Sequence, residues 1–270
     1  MLSLRRRQYL EAIGIDLWVS RAAATEPAAL PPPAGVTTDT SVTTEAARVT
    51  AETARVTAEA GSVTAEAASV TADTASSWQR LFDEVRTCRR CPLHATRTQG
   101  VLGVGPKRSD WLVIGEAPGA EEDRRGEPFV GAAGQLLDAM LRAIGLDRRT
   151  NVYIANVLKS RPPNNRDPKP EEVEACMPYL IRQIGLLQPK IMLAVGRIAA
   201  QNLLATDAPL GRLRGRVHHF GEFQTPLVVT YHPAYLLRTP ADKRKAWEDL
   251  KYARSVYQQI TQGTADGHRS

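Results

Sequence analysis

The chain lacks the features that mark membrane, secreted and disulfide-bonded proteins. No apolar run approaches the roughly 20 residues that span a bilayer. The basic residues 5–7 are soon followed by Glu11 and Asp16 rather than by an apolar signal core. Only three cysteines are present, which does not suggest a disulfide framework. We therefore expect a cytoplasmic protein without membrane contact, in a compartment that keeps thiols reduced.

Charge is unevenly distributed along the chain. Residues 1–77 carry 6 basic and 9 acidic side chains, whereas the remainder carries 29 basic and 20 acidic ones and nets +9. A basic globular part is typical of proteins that bind a phosphate backbone. A basic solvated surface gives the same count, so charge admits nucleic acid as a partner without requiring it.

The first 76 residues have the composition of an extension. Residues 4–19 place apolar side chains at roughly helical spacing, which predicts a short amphipathic helix that docks a partner or folds back onto the core. Residues 20–43 are rich in Ala, Pro and Thr, and they are followed by a seven-residue repeat that lacks the second apolar seam of a coiled coil. We expect a helix within 1–19, a low-complexity linker at 20–76, a globular domain at 77–262 and a tail at 263–270. The N-terminal extension is expected to be disordered.

The globular part alternates short apolar runs with helical patterns. The runs rich in β-branched residues span 111–115, 152–156, 190–196 and 226–231, and the helical patterns span 134–145, 170–187, 197–204 and 241–260. This alternation predicts a three-layer α/β/α fold around a central, mostly parallel four-stranded sheet. Ligands of such sheets bind at the carboxyl ends of the strands. The motif GEAPG (115–119), Asn156 and His232 follow three of these strands, so we expect a single site there.

Three side chains have the chemistry needed to hold and release a base that has been flipped out of its stack. Phe129 offers an aromatic face for stacking. Asn156 offers a carboxamide that can pair with N3–H and O4 of uracil but mismatches the amino edge of cytosine. His232 offers a hydrogen-bond donor for the charge that develops on a departing base. Each also has a structural alternative: a core Phe, an Asn that caps a turn, or a His that precedes a proline.

Residues of the GEAPG region have supporting chemistry. Gly115 and Ala117 belong to a Gly-rich turn whose backbone can approach a ligand, and no Walker or dinucleotide motif accompanies it. Glu116 and Glu122 are carboxylates that can orient water or stabilise an oxocarbenium-like sugar. Glu122 can equally be part of an acidic cluster at the start of a helix.

A second group of residues has the chemistry of a DNA contact. Leu236 and Leu237, expected on an exposed loop, can fill the gap left by a flipped nucleotide, or they can be ordinary core leucines. Arg238 and Arg161 are candidates for phosphate contacts.

The motifs GEAPG, PFVG, KxRPPxNRxP and HPA, in that order, resemble those of the family 4 uracil-DNA glycosylases, the iron–sulfur branch of the uracil glycosylase superfamily. The similarity extends from about Cys88 to about Lys245. It implies a monofunctional DNA repair enzyme that releases free uracil, leaves an abasic site and does not cut the strand. By resemblance, Phe129 stacks on uracil, Asn156 reads it and His232 is the histidine of the second motif.

The resemblance also marks positions where catalysis differs between branches. Other branches of the superfamily carry a water-activating Asp where this chain has Ala117, as is usual for family 4. Catalysis would then depend more on the leaving group and the sugar, with Glu116 or Glu122 assisting.

The resemblance implies a 4Fe–4S cluster held by four cysteines, and here the chain departs from the family. Cys88, Cys91 and Cys176 occupy three of the ligand positions, whereas the fourth position is Ser160. Serine is a poorer iron ligand than a thiolate. The alternatives are a cluster completed by Ser160 or an external ligand, a cluster that decays to a three-iron form, and a zinc site completed by His94. We expect the iron–sulfur cluster.

Two rival functions are also compatible with these residues. One is a catalytically weak protein that binds uracil-containing or abasic DNA, and the other is a glycosylase with a broader range of deaminated bases. Release of free base separates an enzyme from a binding protein. In each case uracil-containing DNA is the expected partner of a monomer, and the N-terminal helix is a candidate site for a protein partner.

Overall fold

The computed structural model describes residues 74–266. The predictions for residues 1–73 and for the last four residues lie outside this range. Helix α1 covers residues 74–87, so helical structure is present before the expected domain start at 77. The helices that follow are α2 (Ala120–Arg125), α3 (Ala132–Arg142), α4 (Pro170–Leu187), α5 (Arg197–Leu204), α6 (Leu210–Leu213), α7 (Pro233–Arg238) and α8 (Lys243–Asp266). Short 3-10 turns lie at Pro92–Ala95, Pro163–Asn165 and Pro240–Asp242.

One sheet forms the centre of the fold. Its strands are β1 (Trp111–Gly115), β2 (Val152–Asn156), β3 (Ile191–Val195), β4 (Val217–Phe220) and β5 (Thr225–Thr230). Their order is β2-β1-β3-β5-β4, with parallel pairing among the first four and antiparallel pairing of β4 with β5. The predicted α/β class with a mostly parallel sheet is confirmed. The sheet has five strands rather than four, because β4 is an edge strand whose sequence VHHF is too polar and too exposed to form an apolar run.

Helices cover both faces of the sheet. Strands β1, β2 and β3 are buried along their whole length, as expected for parallel strands between two helical layers. Alternate residues of β1 enter different cores: Leu112 packs with residues of α1 and α4, whereas Val113 packs with residues of α3 and α8. None of the described helices is long and apolar enough to cross a membrane.

The register of the parallel strands places the functional segments at one edge. Gly115 at the end of β1 lies opposite Asn156 at the end of β2. Val195 at the end of β3 lies opposite Thr230 at the end of β5, two residues before His232. The loops that follow these strands therefore leave the sheet on the same side.

Candidate active site

A cavity of about 430 Å³ lies at the carboxyl edge of the sheet. Its lining includes seven of the residues singled out in the sequence: Glu116, Ala117, Glu122, Phe129, Asn156, His232 and Arg238. Gly115 borders the same space, because a Cβ atom at this position would lie 2.4 Å from Asn156 Oδ1 and 2.6 Å from Phe129 Cζ. Segments distant in the sequence thus meet in one cavity, as the strand ends predict.

Asn156 presents a polar atom that has no partner. The residue is 2% exposed, and its Oδ1 is buried without a hydrogen bond. No group of the described residues donates to this atom, so it is free to accept from a ligand that brings an N–H group into the cavity. The carboxamide is therefore suited to reading the edge of a base.

The loop around Phe129 is held in an unusual conformation. Phe129 has φ 55°, in the left-handed region that bulky residues rarely adopt and that costs on the order of 1–3 kcal/mol. Arg148 donates to the carbonyls of Pro128 and Phe129 at 3.1 and 2.9 Å. Oε1 of Glu122 accepts from the backbone N–H groups of Val130 and Gly131, which follow Phe129, at 2.9 and 3.2 Å. Charged groups on both sides therefore fix the ring, which is 6% exposed, in the cavity wall.

His232 is a neutral donor. Its Nδ1 accepts from the backbone N–H of Ala234 at 3.1 Å, which places the ring proton on Nε2. Burial lowers the pKa of His232 to about 4, and the charge of Arg238 acts in the same direction, whereas Glu122 opposes the shift. The imidazole ring lies 5.5 Å from the Phe129 ring, centroid to centroid, at an interplanar angle of 32°. The histidine and the stacking residue thus line the same part of the cavity.

Two of the carboxylates that line the cavity, Glu116 and Glu122, differ in environment. The pKa of Glu116 is raised to about 7, mainly by burial and also by the negative charge of Asp167, while Arg197 acts in the opposite direction. Arg197 itself donates to Asp167 Oδ2 at 2.8 Å. Glu122, by contrast, uses Oε1 to hold the Phe129 loop. Glu116 is therefore the carboxylate whose charge changes near neutral pH.

The candidate DNA-contacting residues fall into different positions. Leu236 and Leu237 lie on α7 rather than on an exposed loop. Leu237 is 44% exposed, but Leu236 is 1% exposed and faces α3 and α8, so its predicted role as a wedge is corrected to a core role. Arg238 is exposed and lines the cavity. Arg161 lies outside the cavity lining, and its Nε donates to Asn165 Oδ1 at 2.8 Å.

The three cysteines lie in one region beneath the GEAPG turn. Cys91 and Cys176 share an apolar cluster against which Ala117 packs. Burial raises the pKa of Cys176, and the nearby Cys91 and Cys88 add to the shift, whereas Lys159 opposes it. Within residues 74–266, no group of three or more His, Cys, Asp or Glu side chains is arranged to hold a metal ion.

Ser160, at the position that the resemblance assigns to the fourth cysteine, makes a different interaction. Ser160 is 3% exposed, and its Oγ accepts from the Arg97 guanidinium at 2.7 Å. The other arm of Arg97 donates to three carbonyls near the end of α1, those of Val85, Arg86 and Cys88, at 3.0 to 3.1 Å. His94, the alternative fourth ligand, is exposed, and its Nδ1 lies 2.8 Å from the carbonyl oxygen of Cys91.

Several residues of the site have no local signal in the sequence. Arg148 braces a loop that precedes it by about 20 residues, and a lone Arg in a turn does not indicate such a contact. Arg166, Asp167 and Tyr235 also line the cavity. Arg166 and Asp167 lie within the quoted motif KxRPPxNRxP and Tyr235 follows HPA, but those motifs gave these three residues no role.

Comparison with known proteins agrees with this geometry. The family model described as the uracil DNA glycosylase superfamily matches residues 102–251. The type-4 uracil-DNA glycosylase of Archaeoglobus fulgidus is 47% identical over 174 residues, which cover 62% of this chain and 87% of that protein. The type-4 enzyme of Pyrobaculum aerophilum is 46% identical over 64% of this chain and 90% of its own length. The type-4 enzyme of Thermotoga maritima is 41% identical over 64% of this chain and 91% of its own length. The chain therefore belongs to the uracil DNA glycosylase superfamily, in its type-4 branch.

Proposed function

We propose that the protein is a monofunctional DNA glycosylase that hydrolyses the N-glycosidic bond of uracil in DNA, releases free uracil and leaves an abasic site. The observation that carries this proposal is the buried, unpaired Oδ1 of Asn156 in a cavity shared with Phe129 and a neutral His232. The names of the type-4 relatives support the same substrate.

Recognition of the base follows from two of these side chains. A flipped uracil that stacks on Phe129 presents its Watson–Crick edge to the cavity. Asn156 Oδ1 then accepts from uracil N3–H, and the amide N–H₂ group donates to O4. Cytosine has an unprotonated N3 and an amino group in place of O4, so neither contact would form. The buried polar groups left unpaired would discriminate against cytosine.

Bond cleavage places negative charge on the departing uracil and positive character on the sugar. The Nε2–H of His232 is available to donate to uracil O2, where part of that charge develops. Because the ring is neutral, His232 stabilises the uracil anion by donating a hydrogen bond, and it does not need to transfer a proton. Glu116, once ionised, is suited to orient the attacking water and to stabilise the oxocarbenium-like sugar.

The test is uracil release from an oligonucleotide that contains a single uracil. We expect release by the wild type, and losses of about 10²-fold or more in Asn156→Ala and His232→Ala. Asn202→Ala and His219→Ala change the same residue types outside the cavity lining and should retain activity. If folded, metal-loaded wild type binds this DNA tightly but releases no uracil, the proposal is wrong and the DNA-binding alternative replaces it.

We propose that Cys88, Cys91 and Cys176 hold an iron–sulfur cluster at three of its corners. Cys91 and Cys176 share one apolar cluster, and both Cys88 and Cys91 are close enough to Cys176 to raise its pKa, which supports this assignment. The fourth corner does not fit a four-cysteine site, because Ser160 carries a hydroxyl that is bound to Arg97. A bound cluster would supply a structural cross-link between the cysteine loop and α4, and no step of base release is assigned to it.

A further inference from the structure

Lys159 is buried but has no part in the chemistry described above. The residue is 1% exposed and is among the largest fully buried side chains. Within residues 74–266 no carboxylate forms an ion pair with it, although burying an amine without a counter-charge is costly. A buried amine of this kind needs partners that fix its position, and the structure shows which they are.

The amine of Lys159 connects the base-reading residue with a rigid framework. Its Nζ donates to the backbone carbonyl of Asn156 at 2.7 Å and to Gln183 Oε1 at 2.5 Å. Gln183 is fully buried on α4, and its Nε2 donates to the Leu102 carbonyl at 2.9 Å and to the Tyr153 hydroxyl at 3.3 Å. The carbonyl of Asn156 is thereby tied to a helix, a loop and a strand at once.

Asn156 depends on its main chain for orientation. It is the last residue of β2, where regular pairing with β1 ends. Within residues 74–266 no protein group donates to its Oδ1, so no such hydrogen bond holds the carboxamide in place before a base arrives. The direction of the side chain is then set by the backbone that carries it. The hydrogen bond from Lys159 acts on that backbone.

We propose that Lys159 is a positioning residue for base recognition: its amine fixes the carbonyl of Asn156 and so aims the carboxamide at the edge of the base. This inference rests on the proposed function and deepens it, because it names a residue that sets specificity in the same cavity. The role needs only N–H donors, which the amine has in either protonation state.

The first test is Lys159→Met, which keeps most of the length of the side chain and removes the amine with both of its hydrogen bonds. We expect kcat/KM for uracil release to fall by about 10- to 100-fold, the scale of loss when a reacting group is misplaced by about 1 Å. Inhibition by free uracil should weaken by a similar factor. Affinity for DNA with an abasic site should stay within about twofold, because that ligand has no base for Asn156 to read.

A double-mutant cycle then distinguishes positioning from general damage. Lys159→Met is combined with Asn156→Ala, and uracil release is measured for both single variants and the double variant. If Lys159 acts through Asn156, the double variant should be no slower than Asn156→Ala alone. Losses that multiply in the double variant would show an effect independent of Asn156 and would overturn the proposal.

Two further variants complete the design. Lys190→Met makes the same substitution at an exposed lysine next to the amino end of β3 and should match the wild type. If Lys159→Met does not fold, Gln183→Met takes its place in the double-mutant cycle, because it removes the side chain that accepts from the Lys159 amine. We expect a smaller fall in kcat/KM for uracil release. Wild type that releases uracil while Lys159→Met equals it overturns only the role of Lys159. Wild type that neither releases nor binds uracil overturns the proposed function as well.

Discussion

Gly115 and Gly134 show that the site requires positions without a side chain. A Cβ at position 115 would lie within 2.6 Å of both Asn156 Oδ1 and Phe129 Cζ, and one at position 134 would lie 1.8 Å from the Phe129 carbonyl oxygen. Both glycines allow close approach, and neither has a left-handed φ. The motif GEAPG singled out Gly115, whereas Gly134 carries no local signal, because its requirement comes from a loop that packs against it only in the folded chain.

Asn156 and His232 could be selected from the sequence because each combines a distinctive chemistry with a position at or just after a strand end, whereas Phe129 was selected by its aromatic ring within the PFVG motif. Parallel strands bring such positions together whatever their separation in the chain. Arg148 and Lys159 could not be selected in this way. Their functions are hydrogen bonds to backbone carbonyls, and no sequence pattern specifies which carbonyl a long side chain will reach.

Glu116 should give the enzyme a pH dependence near neutrality. Its pKa is raised to about 7, so it is protonated below that pH and ionised above it. If the ionised carboxylate assists water and sugar, kcat/KM for uracil release should rise as the pH increases through about 7. His232, with a pKa of about 4, stays neutral across that range and should not contribute to the rise. The measurement is a pH–rate profile of the wild type and Glu116→Gln.

Glu116→Gln should be slower than wild type above about pH 7 and should lack the rise. Glu222→Gln, a substitution of the same kind at an exposed residue outside the cavity lining, should keep the wild-type profile. A Glu116→Gln profile that still rises near pH 7 would assign the titration to another group.

At the level of elements, the long apolar or amphipathic segments were predicted well and the short ones were not. The predicted runs correspond to β1, β2, β3 and β5, and α4 and α5 match the expected ranges. The final helix was expected at 241–260 and extends over Lys243–Asp266. Helix α7 was taken for a loop because it has only six residues. Pro233 at the first helical position is a recognised start signal, but the N-cap, His232, is not one of the residues that usually cap a helix.

The loop between α2 and α3 is expected to depend on Arg148. This residue donates to two consecutive carbonyls of the loop and pairs with Asp138 on α3 at 2.7 Å. Arg148→Met removes these contacts, and the left-handed conformation of Phe129 loses a support that compensates for its strain. We expect uracil release to fall by about 10-fold and inhibition by free uracil to weaken. Steady-state kinetics with the single-uracil oligonucleotide measures both effects.

Arg149→Met is the matched control for this prediction. Arg149 is the exposed neighbour in the same turn and does not line the cavity. Both variants lose one positive charge, so a general weakening of DNA binding affects them alike. Equal activity of the two variants would show that the brace on the Phe129 loop is dispensable.

At the scale of the whole molecule, the five residues 156–160 join two functional regions. Asn156 lines the cavity, and Ser160 accepts from Arg97, which also donates to the Cys88 carbonyl. Lys159 is hydrogen-bonded to the Asn156 carbonyl and precedes Ser160 in the chain. The backbone N–H of Lys159 also lies 3.5 Å from Cys176 Sγ. The sequence revealed the missing fourth cysteine, but the contact that replaces it depends on Arg97, which is 63 positions away and carries no motif.

This replacement predicts that cluster retention is limited by the fourth corner. Ser160→Cys supplies the missing thiol, and we expect iron and acid-labile sulfide per chain to rise toward about four of each, with slower loss in air. Ser160→Ala removes the hydroxyl without adding sulfur and is the matched control. It should retain no more iron than wild type, and Arg97 remains anchored by its three carbonyl contacts. Metal analysis and the visible absorbance of the cluster give a readout independent of activity. If Ser160→Cys and Ser160→Ala hold equal amounts of iron, the fourth corner does not control retention, and Arg97 rather than a fourth ligand would be the group that keeps the loop in place.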